Sequence, residues 1–318
     1  MNQRERVLAA IKGQPVDHVP SLFSLHFPKE VSAGEAAVEA HISFYKQTGV
    51  DVIKIMNENL EPAIGTLGSV RDWDKVLAYG LDAPFMTRQI DLIRRILDRA
   101  GEGVYSLATI HGVCASTIHP IEAAHGYVES RRLMCESLRS DRQRMLDVHR
   151  RVTDTMCQLA QACIRAGADG IYYAALGGEK HFYTDEEFET CIRPFDLQIM
   201  QAAREAGGHV FLHICKENLN MERYRGYDQW ADVVNWGVYE TDYSLEDGRK
   251  LFPESTILGG LANRSGVLAE GPEDAIAREV RALVQQFGTR RFILGADCTL
   301  PTDIPYSRIA AAVQAAVI

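Results

Sequence analysis

The stretch HVFLHICKEN, His209 to Asn218, is largely apolar or β-branched over its first seven residues and places His213 and Cys215 two apart where the run gives out. In an extended strand that spacing puts the imidazole and the thiol on one face. Two roles are open to such a pair. Cysteine packs as a small hydrophobe, and histidine is often a hydrogen-bonded core residue. Both are equally metal ligands of the soft-to-borderline kind, but a metal needs a third and usually a fourth donor. The pair alone leaves both roles open.

The elements around it narrow the choice. Short apolar or β-branched runs recur at Val19–Phe27, Val50–Met56, Val104–Ile110, Gly170–Leu176, His209–Cys215, Asp232–Glu240, Thr256–Ala262 and Arg291–Asp297. Between most of them lie helical patterns, such as GEAAVEAHISFYKQTG, a long stretch from Ile121 to Gly167, and GPEDAIAREVRALVQQFG. Several end in glycine, the usual C-terminal stop. Thr184 before Asp185, Glu186 and Glu187 reads as an N-cap with an acidic first turn. Strands alternating with helices build a parallel sheet, and eight of them close a (β/α)8 TIM barrel. The rival, a doubly wound open sheet, carries a glycine-rich phosphate loop after its first strand, and LHFPKEVSAGE is not one. The expectation is a single TIM-barrel domain over residues 1–318, the N-terminal RERVLAAIKG forming a helical extension.

In such barrels, active sites sit at the C-terminal ends of the strands. His213 and Cys215 end the fifth strand, and Cys298 ends the eighth in RFILGADCTLPTDIP. These ends can converge over the barrel mouth. His, Cys and Cys with one position left open is the donor set of a catalytic zinc site, and thiolates disfavour Mg or Ca. His213, Cys215 and Cys298 are therefore the expected metal ligands and catalytic centre. Asn57 and Glu58 end strand two, His111 ends strand three, and Tyr172 and Tyr173 lie in strand four. Asn57, Glu58, His111 and Tyr173 are the expected substrate-binding neighbours, with Glu179 and Glu240 weaker candidates of the same kind. Cys114, Cys135, Cys157, Cys163 and Cys191 lack a partner at ligand spacing and read as core residues.

Composition excludes whole classes of function. A net charge of −9 leaves no basic footprint for nucleic acid or an anionic membrane surface. No apolar run approaches the ~20 residues of a membrane span. MNQRERVLAAIKG lacks the apolar core of a signal peptide. Seven scattered cysteines do not form a secreted disulfide framework, so a cytoplasmic location with reduced thiols is expected.

RERVLAAIKGQPVDHVP, AGADGIYY, FLHICKEN and ILGADCTLPTDIPYSRIAAAVQAA together resemble the uroporphyrinogen decarboxylase superfamily over essentially the whole chain. The resemblance implies a (β/α)8 barrel with an N-terminal helical extension. Decarboxylases proper in that family carry an R-Q-A-G-R type segment after the first strand, whose arginines hold porphyrinogen carboxylates. LFSLHFPKE has no arginine, and YYAALGG offers no aspartate for the tetrapyrrole after strand four. The motif is closer to the zinc-dependent, corrinoid-linked methyltransferases, including those acting on coenzyme M, whose H-x-C and distant Cys match His213, Cys215 and Cys298. Lys216 and Asp297 stand where that branch usually has glycine. The resemblance implies methyl transfer between a corrinoid (free cobalamin or a corrinoid protein) and a thiol or small methyl donor. The alternative is a cofactor-independent decarboxylase of another substrate, its basic pocket drawn from Arg193, Arg223, Arg225 and Arg264.

Overall fold

A computed structural model of the chain describes residues 1–317; Ile318, the last residue of the expected domain, lies outside the described residues. The strands are β1 (Ser21–Leu22), β2 (Val52–Ile55), β3 (Tyr105–His111), β4 (Gly170–Ala175), β5 (His209–Ile214), β6 (Val233–Trp236), β7 (Thr256–Leu261) and β8 (Phe292–Ala296). All pairs are parallel, in the order β1-β8-β7-β6-β5-β4-β3-β2. This is the (β/α)8 barrel.

The helices are α1 (Gln3–Ile11), α2 (Gly34–Thr48), α3 (Pro84–Ala100), α4 (Val113–His125), α5 (Tyr127–Ser140), α6 (Arg142–Arg165), α7 (Asp185–Cys191), α8 (Arg193–Glu205), α9 (Leu245–Leu251), α10 (Gly266–Ala269), α11 (Glu273–Phe287) and α12 (Tyr306–Ala315). Thr184 caps α7 in a reciprocal box with Glu187. The long expected helix is three helices, broken at Gly126 and at Asp141, which caps α6. Two strands are shorter than expected. β1 is a two-residue ladder followed by an isolated bridge from Leu25 to Leu300, and β6 stops at Trp236. Among the described residues no helix is long and apolar enough to cross a membrane.

The extension α1 plugs the bottom of the barrel. Asn2 and Glu5 cap its start reciprocally. Val7, Ala10 and Ile11 then pack on the inward residues Leu22, Val52, Tyr105, Leu107, Phe211, Val233, Leu258 and Ile293. This packing fills the lower end, and the cleft lies at the opposite mouth.

Register sets the level of every mouth residue. His111 pairs with Ala174, Ala174 with His213, His213 with Asn235, and Asn235 with Leu258. These five stand in one layer across β3 to β7. One layer down, Thr109, Tyr172, Phe211, Val233 and Thr256 repeat the pattern.

The seam between β1 and β2 has no ladder. It is held by Asp51, whose backbone N–H donates to the Ser21 carbonyl at 3.1 Å. The Asp51 carboxylate accepts from Ser21 N at 2.8 Å and Ser21 Oγ at 3.0 Å, and also from Arg6 of α1. Arg6 keeps a second carboxylate, Asp17, so removing Asp51 chiefly leaves the buried Ser21 donors unmet, a loss of about 1–3 kcal/mol. Asp51→Ala is expected to lower stability by about that amount in urea unfolding. A midpoint within error of wild type would refute the seam's role.

Candidate metal centre

Alternation along β5 aims His213 inward, and Cys215 follows on the same side just past the strand end. Cys298 comes from the turn after β8, three strands away by way of β6 and β7. The donor atoms of His213, Cys215 and Cys298 lie within 4.8 Å of one another. His213 is 3% exposed, so its imidazole is committed to the interior.

Each histidine nitrogen has a distinct task. Nδ1 of His213 lies 2.6 Å from Asn235 Oδ1. Asn235 Nδ2 donates to the carbonyls of Leu258 at 3.0 Å and Ala296 at 3.1 Å, which fixes the amide with its oxygen toward His213. That oxygen also accepts from Tyr172 OH at 3.0 Å. An acceptor opposite Nδ1 makes Nδ1 the protonated nitrogen and leaves Nε2 with a free lone pair. Nε2 is buried and has no protein partner. A buried, unpaired acceptor beside two thiols is the donor chemistry of a zinc-type ion.

The sulfurs are electrostatically prepared as well. Cys298 is held well below the ordinary thiol range, first by hydrogen bonding from Cys215, then by His213 and Lys54 against the opposing effect of burial. Cys215 is correspondingly raised. Beneath them, Lys54 projects inward from β2 with its Nζ 3.9 Å above the Tyr172 ring and 3.2 Å from Ser24 Oγ. The Tyr172 ring in turn stacks on His213 at 5.5 Å. Burial lowers Lys54 to about 8, against the raising effect of Cys298, Cys215 and Glu58.

The three donors open into a cleft of about 580 Å³ at the mouth. Asn57, Glu58 and His111 line it, as do Tyr172, Glu240 and Arg264. Glu58 Oε1 lies 2.7 Å from His26 Nδ1, and this bond is the main cause of its lowered pKa. Asn57 accepts from Asn59 N at 3.1 Å, shaping the turn after β2.

Tyr173 is a correction. It is fully buried, bonded through its hydroxyl to Asp196 of α8, and faces the helix layer. Ala174 faces the mouth in register with His213, so the neighbours inward on β4 are even-numbered, and Tyr172 is the tyrosine of the cleft. Glu179 is likewise structural: it is fully buried, binds Arg131 and accepts from Gly177 N at 3.1 Å. Of the four arginines considered for a basic pocket, Arg264 lines the cleft. Arg193 and Arg223 are engaged by backbone carbonyls, and Arg225 pairs with Glu222.

Both glycine substitutions have visible consequences. Lys216 adopts φ 88, the left-handed conformation that suits glycine, and its ammonium lies 4.5 Å over the Tyr127 ring at the rim. Asp297 Oδ2 accepts from Tyr239 N at 2.8 Å and so ties down the turn that carries Glu240. Burial raises Asp297 to about 7.

Residues not singled out as site residues from sequence include Lys54, Asn235 and His119. Lys54 and Asn235 were detectable as lone polar residues at inward positions of apolar strands. His119 had no such signal, because it lies on α4.

The uroporphyrinogen decarboxylase (URO-D) family model matches residues 70–317, and the chain belongs to that family. Its backbone is similar to a methyltransferase from Methanosarcina mazei, with a TM-score of 0.75 at 17% identity over 99% of this chain and 98% of that one. It is also similar to a B12-independent methionine synthase from Shewanella sp. W3-18-1 in complex with selenomethionine, TM-score 0.60 at 9% identity, over 94% of this chain and 97% of that one. A putative vitamin-B12 independent methionine synthase from Listeria monocytogenes gives 0.55 at 15% identity, over 94% and 95%. At these identities the likeness is one of fold. No curated protein sequence matches significantly.

Outer partners that orient a ligating histidine typically contribute 10–100-fold to metal affinity. Asn235→Ala is therefore expected to weaken metal binding by about that factor in competition with a chromophoric chelator. Unchanged affinity would show that Asn235 does not set the His213 tautomer.

Proposed function

We propose that this chain is a zinc-dependent methyltransferase that moves a methyl group between a corrinoid, free or protein-bound, and a thiol or other small methyl donor or acceptor. The observation that carries the reading is the convergence of His213 Nε2, Cys215 and Cys298 on an open cleft at the barrel mouth. His213, Cys215 and Cys298 would hold the metal, leaving a fourth position for substrate. When bound, zinc supplies Lewis acidity that keeps a reacting sulfur as thiolate or activates a leaving heteroatom.

The chain's own residues provide the rest. Asn235 fixes the His213 tautomer, and Lys54 places a positive charge beneath two thiolates. Asn57 and Glu58 form part of the cleft wall facing the small substrate. A cleft of about 580 Å³ is the size of a small-molecule site. A corrinoid co-substrate would therefore have to meet the small substrate from outside the cleft. Seven free cysteines suit a reducing compartment, and a cytoplasmic setting follows from the same reading.

The decarboxylase alternative loses support. No arginine lies in Leu22–Glu30 to clamp substrate carboxylates, and Arg193, Arg223 and Arg225 are tied to other groups. Purified protein is expected to form no coproporphyrinogen from uroporphyrinogen under anaerobic conditions, and detectable product would reverse this.

Protein purified without chelator is expected to contain about one zinc per chain. The Cys215→Ser, Cys298→Ser double variant is expected to lose it while keeping its melting temperature, because the barrel's stability lies in its packed core. X-ray absorption at the zinc edge should show two sulfurs and an imidazole before substrate is added. Stoichiometric metal in the double variant sinks the assignment.

A further inference from the structure

One wall of the cleft is the donor triad, and the opposite wall holds an imidazole that the metal reading does not use. His111 ends β3 in the same layer as His213, with only Ala174 between them in the register. Parallel neighbours lie about 4.8 Å apart, so the two backbones are roughly 10 Å from one another. Both side chains line one cleft, and the methyl group of Ala174 leaves the space between them clear. A substrate atom held next to His213 thus lies within reach of His111.

His111 is prepared for one task. Among the described residues no protein group hydrogen-bonds to its ring, so its nitrogens are free to meet a ligand. Its plane is fixed by His119 of α4, which packs edge-on with ring centroids 4.7 Å apart. His119 is itself braced, its Nδ1 lying 2.8 Å from Glu61 Oε2 in a pair only 9% and 6% exposed. Three groups that can carry positive charge face His111: His119 from α4, His26 from the turn after β1, and Lys54 from β2. Glu61 and Glu58 lie behind the first two. Burial first, then these neighbours, hold His111 well below the ordinary histidine range. It is neutral at physiological pH, so a ring nitrogen can take a proton, and the same surroundings make it release that proton readily.

We propose that His111 is a catalytic base that takes the proton of the substrate as its heteroatom enters the site, which makes the substrate a thiol acceptor of the methyl group. This rests on the methyltransferase reading and deepens it. A thiol arrives with a proton and must lose it, whereas an ether or amine donor must gain one. In the step, the S–H bond breaks with its electron pair left on sulfur, and the proton goes to a ring nitrogen of His111. The imidazolium returns it to water at the open mouth. The sulfur pair then forms the bond to the methyl carbon as the Co–C bond breaks, its electrons leaving on cobalt, which passes from Co(III) to Co(I). Atoms and charge balance without a further oxidant or reductant. His119 and Glu61 act as positioning residues.

The test uses zinc-loaded full-length enzyme, methylcobalamin and 2-mercaptoethanol, comparing wild type with His111→Ala. The variant is expected to keep its zinc and, by X-ray absorption, to admit a sulfur to the zinc shell only as the pH approaches the thiol's own pKa. Its kcat/KM for the thiol near neutral pH should fall by roughly 10²–10⁴, the usual contribution of a general base. Wild-type turnover should be nearly flat from pH 6 to 8, while that of the variant climbs roughly tenfold per pH unit toward the thiol's own pKa. Added imidazole should restore part of the rate. Loss of zinc in the variant, a pH profile matching wild type, or a loss that neither alkali nor imidazole repairs overturns the proposal. If wild type itself takes up no sulfur and demethylates no cobalamin, the methyltransferase reading fails, and the role of His111 falls with it.

Discussion

The amide of Asn235 is the constraint on which the candidate site depends. Its nitrogen donates to carbonyls of β7 and of β8, at Leu258 and Ala296, so its orientation is set by the backbones of two strands other than its own. Its oxygen must then face His213 and Tyr172. A side chain free to flip could serve either histidine tautomer; this one serves only the tautomer with Nε2 unprotonated. The barrel's hydrogen-bond register thereby becomes a statement about which atom can bind a metal. Because β5, β6, β7 and β8 all contribute, the site forms only when these four strands have paired.

Charge in the mouth is arranged on the same scaffold. Two thiolates, one neutral imidazole and a divalent ion would sum to zero, and an incoming thiolate would make the group negative. Lys54 lies over the Tyr172 ring, on which His213 also stacks. A buried cation without a carboxylate partner is costly, and burial alone lowers its pKa. Its cost falls when thiolates occupy the layer above. With a metal bound, the lysine and the two thiolates would therefore be mutually stabilising, although each is unfavourable alone.

How much of this was legible in the sequence depends on the residue. The barrel followed from the alternation of apolar runs and helices, and the meeting of His213, Cys215 and Cys298 followed from strand ends in that barrel. Strand four was harder. GIYYAAL offers two adjacent tyrosines and no polar residue to mark the inward phase, and a phase error of one residue exchanges the faces. Only pairing with His213 on β5 selects Tyr172 over Tyr173. His119 was hidden for a different reason. Pro120 is readily taken for a helix start, which sets the boundary at Ile121, yet α4 begins at Val113 and carries the proline inside it. The Pro120 carbonyl accepts from Ile64 N at 2.8 Å, a long-range contact with no local sequence signature.

The cations at the mouth of this barrel are placed mostly on its loops. A polyanionic substrate needs arginines aimed into the mouth, but here Arg223 is buried against the carbonyls of Gly177, Gly178, Glu179 and Tyr183. Arg193 similarly holds the carbonyls of Arg223 and Arg225. Both stiffen the loops after β4 and β5, which is where Cys215 leaves its strand. Lys216 follows in a left-handed conformation that costs a non-glycine residue on the order of 1 kcal/mol. That conformation turns the chain immediately after Cys215 and sends the lysine ammonium to the Tyr127 ring at the rim. Positive charge in this barrel thus serves two ends: it secures the loops that present the thiols, and through Lys54 it offsets the charge those thiols carry. Of the four arginines considered, Arg264 alone lines the cleft, so the mouth offers a large polycarboxylate one guanidinium beside Lys54 and Lys216.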